Sequence, residues 1–461
     1  MKPYIFRARL RLRTFYFLEG KNMKQKFTIL LVLLLAIAML FAACNFGTPG
    51  EKEEVGEEDD APESSGLSYI IDKDNECAII SGRGSCQDMD IVIPKTIEGY
   101  PVTEIATDAF REDKYLKNIA IPNSVTSIGE YAFSTCPKLE SIVIPDSVTT
   151  VGSAAFGACT GLTSATIGNS VISIGDSVFS GCTGLTSITI PNSMTSIGNG
   201  AFYNCAGLTS ASIGNSVTSI GYNAFYGCSG LTSITIPDSV TSIGHAAFLG
   251  CYGLTSVTIG NSVISIGDSV FSGCTNLQYN TTYDNAKYLG NESNPYVALM
   301  NATSTSIDAC TIHPDTKIIY DSAFYNCYFL KTIDIPNGVT SIGASAFSGC
   351  TSLESIAIPD SVTSIGSLAF YGCSDLTSVT IPDGVTRIEN NTFRDCKFLT
   401  SVTIPDSVTS IGEYAFLGCT ALTSINYQGT QEQFGTISTG TNWDSGTGAY
   451  TVTCTDGVIE K

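Results

Sequence analysis

The chain has 461 residues, of which 43% are apolar and only 14% are charged, and its formal net charge is −20. So acidic a chain offers no basic surface to neutralise a phosphate backbone, which argues against nucleic-acid binding, and two histidines argue against a histidine-rich metal site or a histidine-dependent hydrolase. Low charge combined with abundant glycine, serine and threonine indicates one repetitive body, whereas the 17 cysteines are compatible with disulfides, metal clusters or buried thiols.

Residues 1–43 are predicted to be a secretory signal peptide. A short basic segment is followed by an uninterrupted apolar run that ends in small residues before Cys44. The letters L-F-A-A-C that end at Cys44 resemble a bacterial lipobox, in which this cysteine is lipidated and becomes the first residue. Met23 is the expected true start. A retained transmembrane anchor is the alternative, but about 16 apolar residues fall short of the roughly 20 in a spanning helix.

Residues 44–66 are predicted to be the lipid anchor and an acidic tether. The segment carries many glutamates and aspartates and too little apolar surface to fold. The predicted location is therefore the bacterial cell surface or outer membrane, with the exported chain attached to the membrane through its lipid only.

The rest of the chain repeats with a period of 23 residues. Two series of phenylalanines carry the period, and a cysteine follows three positions after each of them except the first. The phenylalanines are Phe110, Phe133, Phe156, Phe179, Phe202, Phe225, Phe248 and Phe271, then Phe324, Phe347, Phe370, Phe393 and Phe416. The twelve repeat cysteines are Cys136, Cys159, Cys182, Cys205, Cys228, Cys251, Cys274, Cys327, Cys350, Cys373, Cys396 and Cys419. This self-similarity predicts a solenoid.

One unit, residues 231–253, shows how each coil is expected to fold. Apolar residues alternate with Ser233 and Thr235 in the pattern of a short strand, which Pro237 ends, and a second inward pair lies on the return side. The inward residues are Leu231, Ile234, Ile236, Val240 and Ile243. Gly244 permits a sharp turn. The residues expected on one face of a helical turn are Ala247, Phe248 and Cys251. The predicted fold class is an α/β repeat, a solenoid of 23-residue coils with short parallel strands and helical turns.

The pattern L-x-x-I-x-I-P-x-x-V-x-x-I-G-x-x-A-F-x-x-C resembles the BspA-like, or treponemal-type, bacterial leucine-rich repeat over roughly residues 100–425. The resemblance implies a solenoid capped at both ends. Its expected parts are an N-terminal cap at 67–101, a first array at 102–278, a second array at 320–424 and a C-terminal cap at 425–461. It also implies a cell-surface protein without enzymatic activity that binds proteins or other surface molecules, since members are often linked to adhesion to host matrix and to other cells.

Residues 279–319 form an irregular, tyrosine-rich insert between the two arrays. Tyrosines displayed on a loop could form a binding hot spot, because tyrosine buries a large area at a small entropic cost. The alternative is an oversized coil whose tyrosines pack on its neighbours. The candidate hot-spot residues are Tyr279, Tyr283, Tyr288 and Tyr296.

The twelve repeat cysteines are expected to be buried small apolar residues. Equivalent positions of a solenoid project in parallel, whereas a disulfide needs side chains that converge and a metal needs grouped ligands. Cys77 and Cys86 lie at a spacing that a hairpin could close, so a disulfide and a free buried pair both remain open. Cys310 and His313 could be half of a metal site, but no second half lies nearby in the sequence, which favours a chance placement.

The outward strand positions form uncharged ladders of serine and threonine, which we call the hydroxyl face. Its residues are Ser187, Thr189, Ser210, Ser212, Ser233, Thr235, Ser256, Thr258, Ser378, Thr380, Ser401 and Thr403. Strand propensity and solubility would account for such ladders, but the ladders would equally suit a weakly polar surface that binds proteins or glycans over many repeats. Ice binding, which also uses threonine ladders, needs a flat face and is disfavoured by a curved solenoid with mixed serine and threonine.

Together these features predict a lipid-anchored surface protein that mediates protein–protein interaction, with adhesion to host matrix or other cells as the leading hypothesis. The alternative is a surface lipoprotein that binds a glycan or another envelope component. The expected partners are extracellular proteins or glycans and no nucleic acid. The sequence holds no nucleophile motif, phosphate-cradling loop or H-E-x-x-H, so no catalytic residue, cofactor or metal is expected.

Overall fold

A computed structural model describes residues 62–461 and confirms the solenoid of coils about 23 residues long. Each regular coil adds one strand to row A, which follows the repeat leucine, and one shorter strand to row B on the return side. Neighbouring coils pair in parallel with an offset of one repeat, as Ser233 does with Ser256 and Ser242 with Ser265. Equivalent side chains of successive coils are therefore stacked along the solenoid.

The strands of row A alternate buried and outward residues. Before the insert they are Asp90–Val92, Asn118–Ala120, Ser141–Val143, Ser164–Thr166, Ser187–Thr189, Ser210–Ser212, Ser233–Ile236 and Ser256–Ile259. From the insert onward they are Ala309–Thr311, Thr332–Asp334, Ser378–Thr380, Ser401–Ile404, Ser424–Tyr427 and Thr451–Cys454.

The strands of row B are mostly two residues long. Before the insert they are Tyr100–Ile105, Ser127–Ile128, Thr150–Val151, Ser173–Ile174, Ser196–Ile197, Ser219–Ile220, Ser242–Ile243 and Ser265–Ile266. From the insert onward they are Ala298–Ala302, Ile318–Ile319, Ser341–Ile342, Ser364–Ile365, Arg387–Ile388, Ser410–Ile411 and Ser438–Thr439.

Hairpins lie at both ends of the described chain. At the N-terminal end, Ser68–Asp72 pairs with Cys77–Gly82, which joins row B beside Tyr100–Ile105, and Thr96–Ile97 pairs antiparallel with that same strand. At the C-terminal end, Gly457–Glu460 pairs antiparallel with the last strand of row A. The α-helix Gln431–Thr436 begins at a capping box formed by Thr430 and Gln433.

The arch that connects row B to the next strand of row A is not the predicted helical turn. In the unit described above, the backbone is left-handed at Ala246 (φ +53°) and Gly250 (φ +74°). The N–H groups of Ala246, Phe248 and Gly250 donate to carbonyl oxygens of the next coil at 2.9, 3.0 and 2.8 Å, while the N–H groups between them bond back within the arch. An α-helix keeps its hydrogen bonds within one segment, so an arch that shares alternate donors with its neighbour cannot be helical.

The repeat phenylalanines form two continuous stacks in the core. Consecutive ring centroids are 5.1–5.7 Å apart and the ring planes differ by 1–16°. The first stack runs from Phe110 to Phe271 and the second from Phe324 to Phe416. The rings are buried, so burial of apolar area and ring stacking both stabilise the contact between coils.

The insert replaces one regular coil and its arch. The strands Thr281–Tyr283, Ala286–Leu289 and Ala298–Ala302 form an antiparallel meander, and the last of them pairs in parallel with Ile318–Ile319. At the insert, the Asp321 carboxylate accepts the N–H of Ser269 and the Tyr320 hydroxyl accepts the N–H of Phe271. In the regular coils the equivalent arch N–H groups donate to backbone carbonyls of the next coil instead. Burial raises the pKa of the Asp321 carboxyl to about 6.

The predicted signal peptide, the lipidation site Cys44 and the tether as far as residue 61 lie outside the described residues. Ser64, which the sequence prediction places in the solvated tether, is buried instead. Its hydroxyl donates to Asp88 at 2.6 Å, and its N–H donates to the Val92 carbonyl at 2.9 Å. Within residues 62–461, no helix has the length and apolar character that crossing a bilayer requires.

Candidate functional site

The pleat of row A determines which residues form the hydroxyl face. In the strand Ser233–Ile236 the isoleucines enter the core, while Ser233 and Thr235 point outward and are exposed. The parallel register repeats this arrangement one strand spacing further along, about 4.8 Å away. Nine of the twelve residues of the hydroxyl face are exposed, and Thr258, Ser401 and Thr403 are half-buried.

The hydroxyl face is divided into two patches. The eight residues from Ser187 to Thr258 belong to a six-stranded parallel sheet of the first array. The other four, from Ser378 to Thr403, belong to a five-stranded sheet that reaches the C-terminal end. The sequence prediction treated them as one surface, whereas row A consists of separate hydrogen-bonded sheets on either side of the insert.

Within residues 62–461, none of the twelve side chains of the hydroxyl face hydrogen-bonds to another residue of the protein. The neighbouring threonine column behaves differently, because each hydroxyl donates to the carbonyl 23 residues earlier. Thr209 Oγ1, for example, lies 3.0 Å from the Thr186 carbonyl oxygen, and Thr255 Oγ1 lies 3.0 Å from that of Thr232. The two adjacent ladders therefore differ in their hydrogen bonding. The hydroxyls of the threonine column donate to backbone carbonyls, whereas those of the hydroxyl face can bond to solvent or to a ligand.

The centre of the first patch is electrically neutral. The five row A strands from Ser164–Thr166 to Ser256–Ile259 contain no charged residue. On the N-terminal side charges reappear, where Lys117 and Glu140 form an exposed ion pair at 3.6 Å. Because charges steer encounters and select charged partners, this patch suits a partner that offers hydrogen bonds and weakly polar contacts.

The four candidate tyrosines of the insert lie in different environments. Tyr288 is fully buried, so it belongs to the core, and burial raises its pKa. Tyr279 is half-buried and its hydroxyl donates to Asn301 Oδ1 at 2.7 Å. Of the four, Tyr283 is exposed and Tyr296 is half-buried beside it, and both belong to an aromatic cluster. The third member of the cluster is His313, which the sequence had suggested only as half of a metal site; its ring stacks on Tyr296 at 3.6 Å and meets Tyr283 edge-on at 4.9 Å.

The ladder cysteines are buried and their thiols are free. In all of them except Cys327, Sγ donates to the carbonyl of the phenylalanine 26 residues earlier, with Cys136 at 3.0 Å and Cys274 at 3.3 Å as examples. Burial raises the pKa of Cys205 to about 12 and that of Cys274 to about 11. Burial keeps reagents and metal ions away from these thiols, which makes them poor nucleophiles and poor metal ligands.

The other four cysteines of the described chain, Cys77, Cys86, Cys310 and Cys454, also carry free thiols. Cys86 is buried and Cys77 is half-buried in its hairpin strand. Cys310 is buried in row A, and His313 Nδ1 accepts the N–H of Asp315 at 3.2 Å, which occupies that ring nitrogen. Across residues 62–461, no group of three or more histidine, cysteine or acidic side chains is placed to hold a metal ion.

Comparison with protein families finds the BspA type leucine rich repeat region in six copies, at residues 103–229, 195–307 and 317–438. These matches span well over half of the chain. A comparison with curated proteins found no match.

Several solved bacterial structures are similar to this chain. A leucine rich cell surface protein from Faecalibacterium prausnitzii A2-165 is 32% identical, over 83% of this chain and 99% of its own, with a TM-score of 0.42. A leucine-rich repeat protein from Bacteroides ovatus ATCC 8483 is 28% identical, over 86% of this chain and 100% of its own, with a TM-score of 0.45. A T. pallidum leucine rich repeat protein is 32% identical, over 46% of this chain and 88% of its own, with a TM-score of 0.37.

Proposed function

This chain belongs to the BspA type leucine rich repeat proteins, and from that premise we propose that it is an exported lipoprotein whose hydroxyl face binds an extracellular protein in adhesion to host matrix or to other cells. The proposal rests on one observation: the hydroxyls of the twelve outward side chains form no hydrogen bond within the described chain, whereas those of the neighbouring threonine column donate to backbone carbonyls. Because these hydroxyl groups form no hydrogen bonds within the described chain and recur in register from coil to coil, they are available to bond to a partner.

The dimensions of the face set the strength of the interaction. The first patch lies on four strands, which at about 4.8 Å spacing and three residues of about 3.3 Å rise give an area of about 190 Å². A standard protein interface needs about 800 Å² on each partner. A tight partner must therefore also contact the flanking loops, and the hydroxyl face alone supports a weak contact whose avidity increases with the number of linked copies.

The insert provides a second contact in this proposal. Tyr283 is exposed, and Tyr296 and His313 support it from below through ring contacts. A tyrosine held by its neighbours loses little side-chain entropy on binding, which is a property of interface anchors. Tyr288 supports the cluster from within the insert through its edge-on contact with Tyr296, and Tyr279 bonds to Asn301 instead.

The exported, lipid-anchored location rests on the sequence before residue 62. Lipidation at Cys44 would explain the acidic tether, which would hold the solenoid away from the membrane. Incorporation of labelled palmitate into the chain and its loss in Cys44→Ser test this part of the proposal. We expect neither nucleic-acid binding, because the net charge is −20, nor an enzymatic role, since solenoids of this kind typically serve as interaction scaffolds.

The binding experiment compares two double variants of the same charge change. Ser187→Glu with Ser233→Glu places two carboxylates on the hydroxyl face, while Ser216→Glu with Ser262→Glu places them on exposed loop positions between the rows. Both pairs are measured against matrix proteins, mucins and glycans.

We expect the first pair to lose binding by tenfold or more and the second pair to bind as the unsubstituted chain does. Equal loss in both pairs, or no bound matrix protein or mucin at all, would refute adhesion through this face. Binding restricted to the glycans would favour the alternative, a surface lipoprotein for glycans or envelope components.

A further inference from the structure

A cleft on the row B side of the first array contains an exposed tyrosine. Its volume is about 620 Å³, inside the range of about 300–1,000 Å³ found for small-ligand sites. Its polar and aromatic lining consists of Asn199, Tyr222, Ser242, His245, Ser265 and Asp268. None of them belongs to the hydroxyl face or to the insert.

The glycine that ends each row B strand creates the floor of the cleft. A Cβ at Gly244 would lie 2.7 Å from backbone atoms of the preceding coil, and one at Gly267 would lie 2.5 Å from His245 N. Only glycine fits such a close approach, so the floor stays free of side chains. The residues that follow these glycines in successive coils are therefore brought side by side.

Tyr222 is held in place although most of its ring is exposed. Its N–H donates to Asn199 Oδ1 at 2.8 Å, and the Asn199 amide donates in turn to Asp176 at 3.3 Å. The ring lies over Gly244 of the next coil, where its Cδ1 would be 2.7 Å from a Cβ. The side chain nevertheless keeps 61% of its surface exposed. The ring thus lies on the glycine floor with most of its surface open to solvent.

The groups beside this ring are polar and unoccupied. Within residues 62–461 the His245 imidazole and the Asp268 carboxylate form no side-chain hydrogen bond, and the hydroxyls of Ser242 and Ser265 likewise form none. The isoleucines that line the cleft are almost fully buried. Tyr222 is therefore the one substantial apolar surface in a cleft of free donors and acceptors.

A sugar ring is chemically complementary to one exposed aromatic ring surrounded by free hydrogen-bond donors and acceptors. A pyranose presents one face of C–H groups, which packs against an aromatic ring, and a rim of hydroxyls, each both donor and acceptor, which pairs with carboxylate, imidazole and serine groups. A protein partner would instead be expected to meet several apolar anchors over a larger area. No lysine or arginine lines the cleft, and two acids lie near it, Asp268 and Asp321, so an anionic ligand is disfavoured.

We propose that this cleft is a binding site for a neutral glycan, with a pyranose ring stacked on Tyr222 and its hydroxyls bound by Asp268, His245 and the row B serines. The site is separate from the hydroxyl face, so a protein ligand on row A and a glycan on row B could be bound at the same time. The proposal does not depend on the adhesion function.

The test uses the full chain in detergent with three neutral trisaccharides, maltotriose, mannotriose and chitotriose, and with the anionic 3′-sialyllactose. Saturation-transfer NMR detects weak binding and reports which sugar protons contact the protein, and titration gives the dissociation constant. We expect at least one neutral trisaccharide to bind, with the strongest saturation on the C–H protons of one ring face, and 3′-sialyllactose to bind at least tenfold more weakly.

Variants assign the binding to this cleft. Tyr222→Ala should weaken the best trisaccharide tenfold or more, Tyr222→Phe less than threefold because the ring remains, and Asp268→Asn by an intermediate factor. Tyr252→Ala is the matched control, because Tyr252 is 58% exposed but lies outside the cleft. The pair Ser187→Glu with Ser233→Glu, which tests the hydroxyl face, should leave the sugar affinity unchanged. Absence of binding by all three neutral sugars, or equal loss in Tyr222→Ala and Tyr252→Ala, would overturn the proposal.

Discussion

The phenylalanine stack makes a quantitative prediction about how coils stabilise one another. Phe225 is fully buried and its ring lies 5.1 Å from both Phe202 and Phe248. Phe271, the last ring of the first stack, has one parallel neighbour at 5.7 Å and a tilted neighbour, Tyr320, at 6.0 Å. Phe225→Ala therefore removes two close stacking contacts, whereas Phe271→Ala removes one looser contact and a tilted one.

The expected magnitudes follow from these environments. Truncating a buried phenylalanine to alanine costs about 3–5 kcal/mol, and each stacked pair adds about 0.5–1.5 kcal/mol. We therefore expect Phe225→Ala to lower the free energy of unfolding by about 4–8 kcal/mol. Phe271→Ala should cost about 0.5–1.5 kcal/mol less, because its ring is slightly exposed and its two neighbours lie farther away, at 5.7 and 6.0 Å. Phe398→Ala removes an exposed ring and should change stability by less than about 0.5 kcal/mol.

Urea denaturation followed by far-UV circular dichroism measures the three free energies. Thiol labelling, detected by mass spectrometry, then shows which coils have lost stability. In Phe225→Ala, Cys205 and Cys251 of the neighbouring coils should become accessible first. Contacts in a solenoid are made with adjacent coils only, so distant thiols should stay protected at low urea. Equal effects of Phe225→Ala and Phe398→Ala, or a larger loss for Phe271→Ala, would refute the view that stacked rings bind the coils together.

Three further predictions concern thiols, titration and glycine. Alkylation without reductant should label all twelve ladder cysteines in the denatured chain and almost none in the native chain, and protected thiols after denaturation would contradict free side chains. The folded pKa of Asp321 is raised to about 6, so its stabilisation is present below about pH 4 and is lost as the pH rises through 6. The free energy of unfolding from urea titrations should therefore fall over that interval by up to about 3 kcal/mol more in the unsubstituted chain than in Asp321→Asn, with parallel curves as the refuting result. Gly244→Ala should lower the melting temperature, because its Cβ meets backbone at 2.7 Å, whereas Gly435→Ala meets nothing within 4 Å in its helix and should not.

The repeat and its strands could be read from the sequence because the signal is local and recurrent. Alternation of Ile234 and Ile236 with Ser233 and Thr235 separates core from surface within one strand. The recurrence of phenylalanine every 23 residues specifies which side chains stack, since the parallel register joins residues one period apart. Fold, core and the outward ladder were predicted for the same reason.

The arch and the candidate sites depend on neighbours that local patterns do not reveal. A-A-F-x-x-C has the spacing of a helical turn, but Phe248 N–H donates to the following coil instead. Thr209 and Ser210 are adjacent hydroxyl residues, yet only the former reaches a carbonyl oxygen of the preceding coil. Tyr288 was grouped with Tyr283 by composition alone, and the meander of the insert buries one ring and exposes the other.

By itself, the sequence determined the period, the inward and outward faces of the strands and the family, because each is encoded in residues that repeat along one chain. Only the tertiary structure decided which hydroxyls remain free, why the arch is not helical, how Asp321 closes the gap left by the insert and why Tyr222 is presented over a glycine floor. The physical reason is that these outcomes depend on hydrogen bonds and steric contacts between coils. Such contacts exist only once the neighbouring coil is in place.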